Sequence, residues 1–142
     1  MGFFGFSDFE RILDRATSDE LLEPDLSLNT ELCDILRQRE VKAGQALNAI
    51  KRKISQRKPM ITLLALNVLE MCVSNCGPYF AREVASESFM QQMREWALPS
   101  SFSEQISYRL LELTQNWAVG FKGDANYQNM FDTYNQMRME GM

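Results

Sequence analysis

The sequence predicts an all-α protein, an eight-helix right-handed superhelix. Three observations lead there. Apolar residues recur at steps of three and four along most of the chain. No stretch shows the apolar–polar alternation of a half-buried strand. The helical runs are separated by short segments that carry proline, glycine or clustered polar residues, so successive helices should pack antiparallel. A length of 142 residues suits one domain over 1–142. With 45% hydrophobic and 24% charged residues, the chain can build a core without disulfides or metal.

Ser7 followed by Glu10 makes a capping-box pair, which starts the first helix near Asp8 and turns Phe9, Ile12, Leu13 and Ala16 inward. The 21–24 segment, Leu-Leu-Glu-Pro, ends it. Pro24 and Asp25 open the second helix with Asp25 as N-cap. Leu28, Leu32, Ile35 and Leu36 form its inner stripe, and the polar run 37–40 closes it. The third helix covers 42–55, with Ala43, Ala46, Leu47, Ile50 and Ile54 on one face. After a connector at 56–58, Pro59 suits the first turn of the fourth helix. That helix runs to about Cys76 and is apolar on nearly every side, from Met60, Ile61, Leu63 and Leu64 to Leu69, Met71 and Val73. Such a helix, too short to span a bilayer, belongs at the centre of a helical protein. Gly77 is the expected C-terminal cap.

A short fifth helix is predicted for 78–85. Phe89, Met90, Met93, Trp96 and Ala97 define a sixth, followed by a loop at Pro99. The seventh covers 103–121 with Ile106, Leu110, Leu113, Trp117 and Phe121 inward. A turn around Gly123 leads to the eighth, whose inner face takes Tyr127, Met130, Phe131, Tyr134 and Met137.

Little in this chain points to catalysis. It has no histidine, the residue most often used for proton transfer near neutral pH. It has neither a phosphate-binding glycine loop nor a dinucleotide fingerprint. Carboxylates such as Asp19 and Glu20 lie where solvated charge is expected. The expectation is therefore a non-enzyme without a cofactor. Three cysteines, Cys33, Cys72 and Cys76, are an odd number. Cys72 and Cys76 share one helix face, but a zinc site would need two further ligands, and only one other cysteine exists. Free thiols packed in the core, and no metal, are expected. A net charge of −4 disfavours nucleic acid as a partner. The opening MGFFGF has neither the basic nor the long apolar region of a signal peptide. Phe6 occupies the position where a myristoylation signal has Ser or Thr. These features predict a cytoplasmic protein.

Charge is unevenly spread. Positions 40–58 carry a net +5, leaving −9 for the remainder. Lys51, Arg52, Lys53, Arg57 and Lys58 are candidates for contact with an anionic membrane surface, at about 1 kcal/mol per cation near the lipid. The alternative is a solvated helix end whose cations suit the C-terminal dipole. Leu26 is the second outlier. At about 100° per residue it points well away from the Leu28–Leu32–Ile35–Leu36 stripe, with Thr30 one turn later on the same outer side.

Phe9-Glu-Arg-Ile-Leu-Asp-Arg-Ala-Thr-Ser, Glu31-Leu-Cys-Asp-Ile-Leu, Ala46-Leu-Asn-Ala-Ile-Lys-Arg-Lys-Ile, Leu64-Ala-Leu-Asn-Val-Leu-Glu and Ser74-Asn-Cys-Gly follow in order. Gln115-Asn-Trp-Ala and Thr133-Tyr-Asn-Gln-Met come after them. Together they resemble the VHS domain over about 6–141, closest to the Vps27/Hrs-type endosomal sorting adaptors. The resemblance implies the VHS/ENTH-like superhelix and a non-catalytic adaptor role in endosomal or vesicular protein sorting. It also implies a location in the cytoplasm, peripheral on endosomal or Golgi membranes. Such domains stand at the N-terminus of larger adaptors, so the chain is expected to be an N-terminal fragment of one; nothing in it resembles their zinc-binding FYVE module. Many VHS domains bind ubiquitin weakly through the outer face of helix two, which here implies Asp25, Leu26, Asn29 and Thr30. The family pattern there is tryptophan and, four residues on, leucine; this chain has Leu26 and Thr30. Acidic dileucine tails of the GGA type are an unlikely ligand, because Ser86, Glu87 and Ser88 stand where that groove needs cations. Two alternatives remain open: phosphoinositide or membrane contact through 42–58, and a structural spacer.

Overall fold

The computed structural model describes residues 5–142, which form eight α-helices and one 3₁₀ turn, with no strand among them. The all-α class is as predicted. Most of the opening segment considered for a signal or lipid anchor, residues 1–4, lies outside the described residues. Packing groups the chain into two compact units, one reaching to Glu83 and the other running from Val84 to Met142.

The first unit holds α1 (Phe6–Ala16), α2 (Leu26–Arg37), α3 (Ala43–Ile54), α4 (Pro59–Asn75) and most of α5 (Pro78–Val84). Here α1 packs on α2 and α3, and α4 packs on α2 and α3. The first helix begins two residues before its predicted start. Gly5 is the N-cap in extended conformation, and its N–H donates to Asp8 Oδ2 at 3.1 Å. A carboxylate in the third helical position thus closes the turn that Ser7 and Glu10 were expected to close. In α2 the cap is as predicted: Asp25 Oδ1 accepts from the Leu28 N–H at 3.0 Å.

Helix α4 buries nine residues against six in each of α2 and α3, which fits its expected central place. Leu66 and Leu69 are sealed from solvent. Apolar on every side does not mean buried on every side, however. Met60 is exposed, and Leu63 and Met71 are half-buried. Gly77, at φ +71°, takes the left-handed conformation that ends the helix without a Cβ penalty.

The second unit holds α6 (Glu87–Ala97), α7 (Glu104–Gly120) and α8 (Gln128–Met139), with the 3₁₀ turn Ala125–Tyr127 before α8. Helices α7 and α8 pack together, and α6 contacts both. Ser86 and Ser103 cap α6 and α7 through the N–H groups of Phe89 and Ile106. Trp96 and Trp117 are buried as expected. Phe121 is only half-buried and stacks on Tyr127 with ring centroids 4.1 Å apart. Phe131 departs from its predicted inward place and is exposed. The inward stripe of α8 is Met130, Thr133 and Met137, and Phe131 lies about 100° around the helix from Met130.

A candidate protein-binding face on the second helix

The candidate face is built from one helix start. Asp25 fixes the first turn of α2 by accepting the Leu28 N–H, which sets the rotational phase of everything after it. In that phase Leu28, Leu32, Ile35 and Leu36 face the core, and Leu26 stands out at 68% exposure. Thr30 shares the exposed side one turn on. Its hydroxyl donates to the Leu26 carbonyl at 2.8 Å, so it is satisfied within the helix. The pair presents a small apolar spot on a closed backbone.

Asn29 does not join it. It is 2% exposed, and its Nδ2 donates to Asn67 Oδ1 on α4 at 3.1 Å. Asn29 therefore fixes α2 against α4 from the inside and cannot touch a ligand on the outer side. Of the four residues considered for that face, Leu26 and Thr30 are outward, Asp25 is half-buried at the edge, and Asn29 is interior.

The basic segment does not form one uncommitted patch. Lys53 Nζ lies 2.7 Å from Asp14, and Arg52 Nη2 lies 3.2 Å from Glu10, so both are tied back to α1. Lys51 is half-buried beside them, while Arg57 and Lys58 are exposed in the connector leading to α4. Arg57 adopts φ +60°, a left-handed conformation uncommon outside glycine.

A further cluster lies between α2 and α4. Cys33 from α2 meets Cys72 and Cys76 from the end of α4, with all three sulfurs within 4.8 Å of one another. All three are free and buried. Cys33 Sγ and Cys72 Sγ are 3.9 Å apart, and Cys76 Sγ donates to the Cys33 carbonyl at 3.6 Å. Hydrogen bonding from the Cys72 and Cys76 thiols pulls the Cys33 thiol down, and their bonds to Cys33 push both of the others up. The spacing of Cys72 and Cys76 places two thiols on one face, but only the packing of α2 on α4 brings Cys33 to them.

Comparison with known proteins matches positions 5–141 to the family described as the VHS domain. The chain is 34% identical over 132 residues to vacuolar protein sorting-associated protein 27 of Yarrowia lipolytica, covering 92% of this chain and 23% of that protein. It is 35% identical over 133 residues to the Target of Myb1 membrane trafficking protein of Gallus gallus, covering 92% of this chain and 26% of that one. The chain thus spans about a quarter of the length of these relatives. The crystal structure of the VHS and FYVE tandem domains of Hrs, a protein involved in membrane trafficking and signal transduction, superposes with a TM-score of 0.89 at 30% identity. That match covers 99% of this chain and 63% of the Hrs chain.

Proposed function

The chain belongs to the VHS domain family, and from that membership we propose that it is a non-catalytic adaptor domain for endosomal protein sorting that binds ubiquitin weakly through Leu26 and Thr30 on the outer face of α2. The observation that carries the reading is the exposure of Leu26 at 68% on a helix whose phase is fixed by the Asp25 cap. An apolar side chain held outward on a rigid element is what weak protein recognition needs. Its size sets the strength. A leucine has less contact area than the tryptophan of the family pattern, and Thr30 adds little, so binding falls at or above the high micromolar range.

Two-dimensional NMR of the labelled chain titrated with monoubiquitin tests this. Shifts should concentrate at Leu26 and Thr30 and their neighbours on α2. Leu26→Trp should strengthen binding, and Leu26→Asp should abolish it. Silence at millimolar ubiquitin, even with Leu26→Trp, overturns the reading.

Membrane contact through the basic segment has weaker support, because Arg52 and Lys53 are engaged by Glu10 and Asp14. Co-sedimentation with phosphoinositide vesicles separates the two: the ubiquitin reading expects no dependence on Arg57 and Lys58.

A further inference from the structure

The tri-cysteine cluster between α2 and α4 has a geometry that core packing alone does not demand. The three sulfurs all lie within 4.8 Å of one another and come from two helices. A pyramidal three-coordinate trivalent centre with sulfur bonds of about 2.3 Å holds its ligands about 3.4 Å apart. The Cys33–Cys72 separation of 3.9 Å is within about 0.5 Å of one edge of that triangle. With all three sulfurs within 4.8 Å, the longest edge needs to contract by no more than about 1.4 Å, within the reach of side-chain rotation. A disulfide would demand a sulfur separation near 2.0 Å, about 1.9 Å shorter than the Cys33–Cys72 distance of 3.9 Å, and would leave the third thiol unused.

The surroundings select the ion. This is the only group of three or more metal-ligating side chains among the described residues, so no carboxylate or imidazole completes a tetrahedral zinc site. Burial penalises net charge. Three thiolates around a monovalent ion would carry −2, around a divalent ion −1, and around a trivalent centre nothing. The sulfurs are soft ligands in a nearly dry site, with Cys72 fully buried and Cys33 and Cys76 almost so. The end of α4 is the part of the cluster nearest to exposed residues. Cys76 is its C-cap, Gly77 follows, and Ser74 and Asn75 are exposed. There the Arg37 side chain donates to the Asn75 carbonyl at 3.4 Å.

We propose that Cys33, Cys72 and Cys76 form a trithiol site for a trivalent thiophilic metalloid, arsenite being the fitting ligand. Capture of arsenous acid is a simple exchange. Three As–O bonds break and three As–S bonds form. The three thiol protons leave with the three hydroxyls as water, and arsenic stays trivalent, so no oxidant or reductant is required. The product is neutral and suits the buried site. Its formation ties α2 to α4, which stiffens that pair of helices.

The test adds arsenite to the reduced 142-residue chain. Native mass spectrometry should show one arsenic per chain in place of three protons. X-ray absorption should find three sulfur neighbours at about 2.2–2.3 Å and no oxygen. Arsenite should protect all three cysteines from alkylation and raise the melting temperature, since it binds the folded state. Cys33→Ala and Cys76→Ala should each weaken binding about a hundredfold, because the third tethered ligand is lost. Cys72 is fully buried, so its alanine variant is used only if its circular dichroism and melt match a folded chain. Even if every variant unfolds, absorption and alkylation on the parent chain decide the matter. Two sulfur neighbours instead of three, alkylation unaffected by arsenite, or undiminished binding in folded Cys33→Ala would overturn the proposal.

Discussion

Helices α2 and α4 lie against each other and are both rich in leucine, yet the same residue has different meanings in them. In α4, Leu66 and Leu69 are sealed in the core, and apolar residues occur on nearly every side. In α2, Leu28, Leu32 and Leu36 are buried, while Leu26, two residues before the first of them, is exposed. What distinguishes them is helical phase. An apolar residue on a one-sided helix is core or surface according to its angle from the stripe. On an all-apolar helix phase carries almost no information, which is why Met60 and Leu63 could not be placed from sequence. The helix with the stronger hydrophobic signal is therefore the less informative one about function.

The largest effect should come from the buried side of this comparison. Leu66→Ala or Leu69→Ala should cost about 2–5 kcal/mol, because the side chain leaves a cavity in a closed site. Urea denaturation measures it. A loss below about 1 kcal/mol in both variants would mean that α4 is not the packing centre of its unit.

The stripes of α1, α2, α3, α6 and α7 were legible because a period near 3.6 residues is imposed by the helix itself. So were Asp25 and Gly77, whose side-chain chemistry or lack of a Cβ fixes a helix end locally. Most of the misplacements trace to tertiary partners. Asn29 has a polar side chain, although Leu32, Cys33 and Leu36 at three, four and seven residues on place it beside the inward stripe. Its burial depends on Asn67, which is 38 residues away. Lys53 and Arg52 read as an open basic patch until α1 supplies Asp14 and Glu10. Cys33 looked like one more core thiol until α2 packed on α4. Phe131 is the reverse case, an aromatic left outside because it stands about 100° around α8 from Met130. Sequence periodicity resolved faces; it could not resolve which face meets which.

Next in size is the cap that sets the phase of α2. Asp25→Ala should destabilise the chain by about 0.5–2 kcal/mol, since the Leu28 N–H loses its acceptor. Asp25→Asn should recover most of it. Both are read from thermal melts, and equal losses in the two variants would argue that the cap is not what fixes Leu26.

Smaller still is the polar tie between the two helices. A double-mutant cycle on Asn29→Ala and Asn67→Ala should give a coupling of about 0.5–1.5 kcal/mol, the net value of one hydrogen bond. Zero coupling would indicate that the two amides merely lie side by side. Ubiquitin titration of Asn29→Ala sharpens the comparison further. An interior residue should leave the affinity nearly unchanged, whereas a contact residue would reduce it.

The smallest stability effect should fall on Leu26, and that smallness is the informative result. Its side chain lies outside the stripe and is mostly in solvent, so Leu26→Asp removes little packing. A carboxylate in the first turn of α2 also sits favourably at the positive end of the helix dipole. The two effects oppose each other, and the net change should stay within about 0.5 kcal/mol. Leu66→Ala, a milder change in polarity, should cost several times more. If Leu26→Asp instead lowers stability as much as a core substitution, the residue packs on something, and the outer face of α2 is not available to a partner. If stability holds while ubiquitin shifts vanish, the two leucines separate cleanly: one maintains the fold, and the other can be altered without disturbing it. A surface leucine that contributes nothing to folding yet governs recognition is the signature expected of a weak adaptor face.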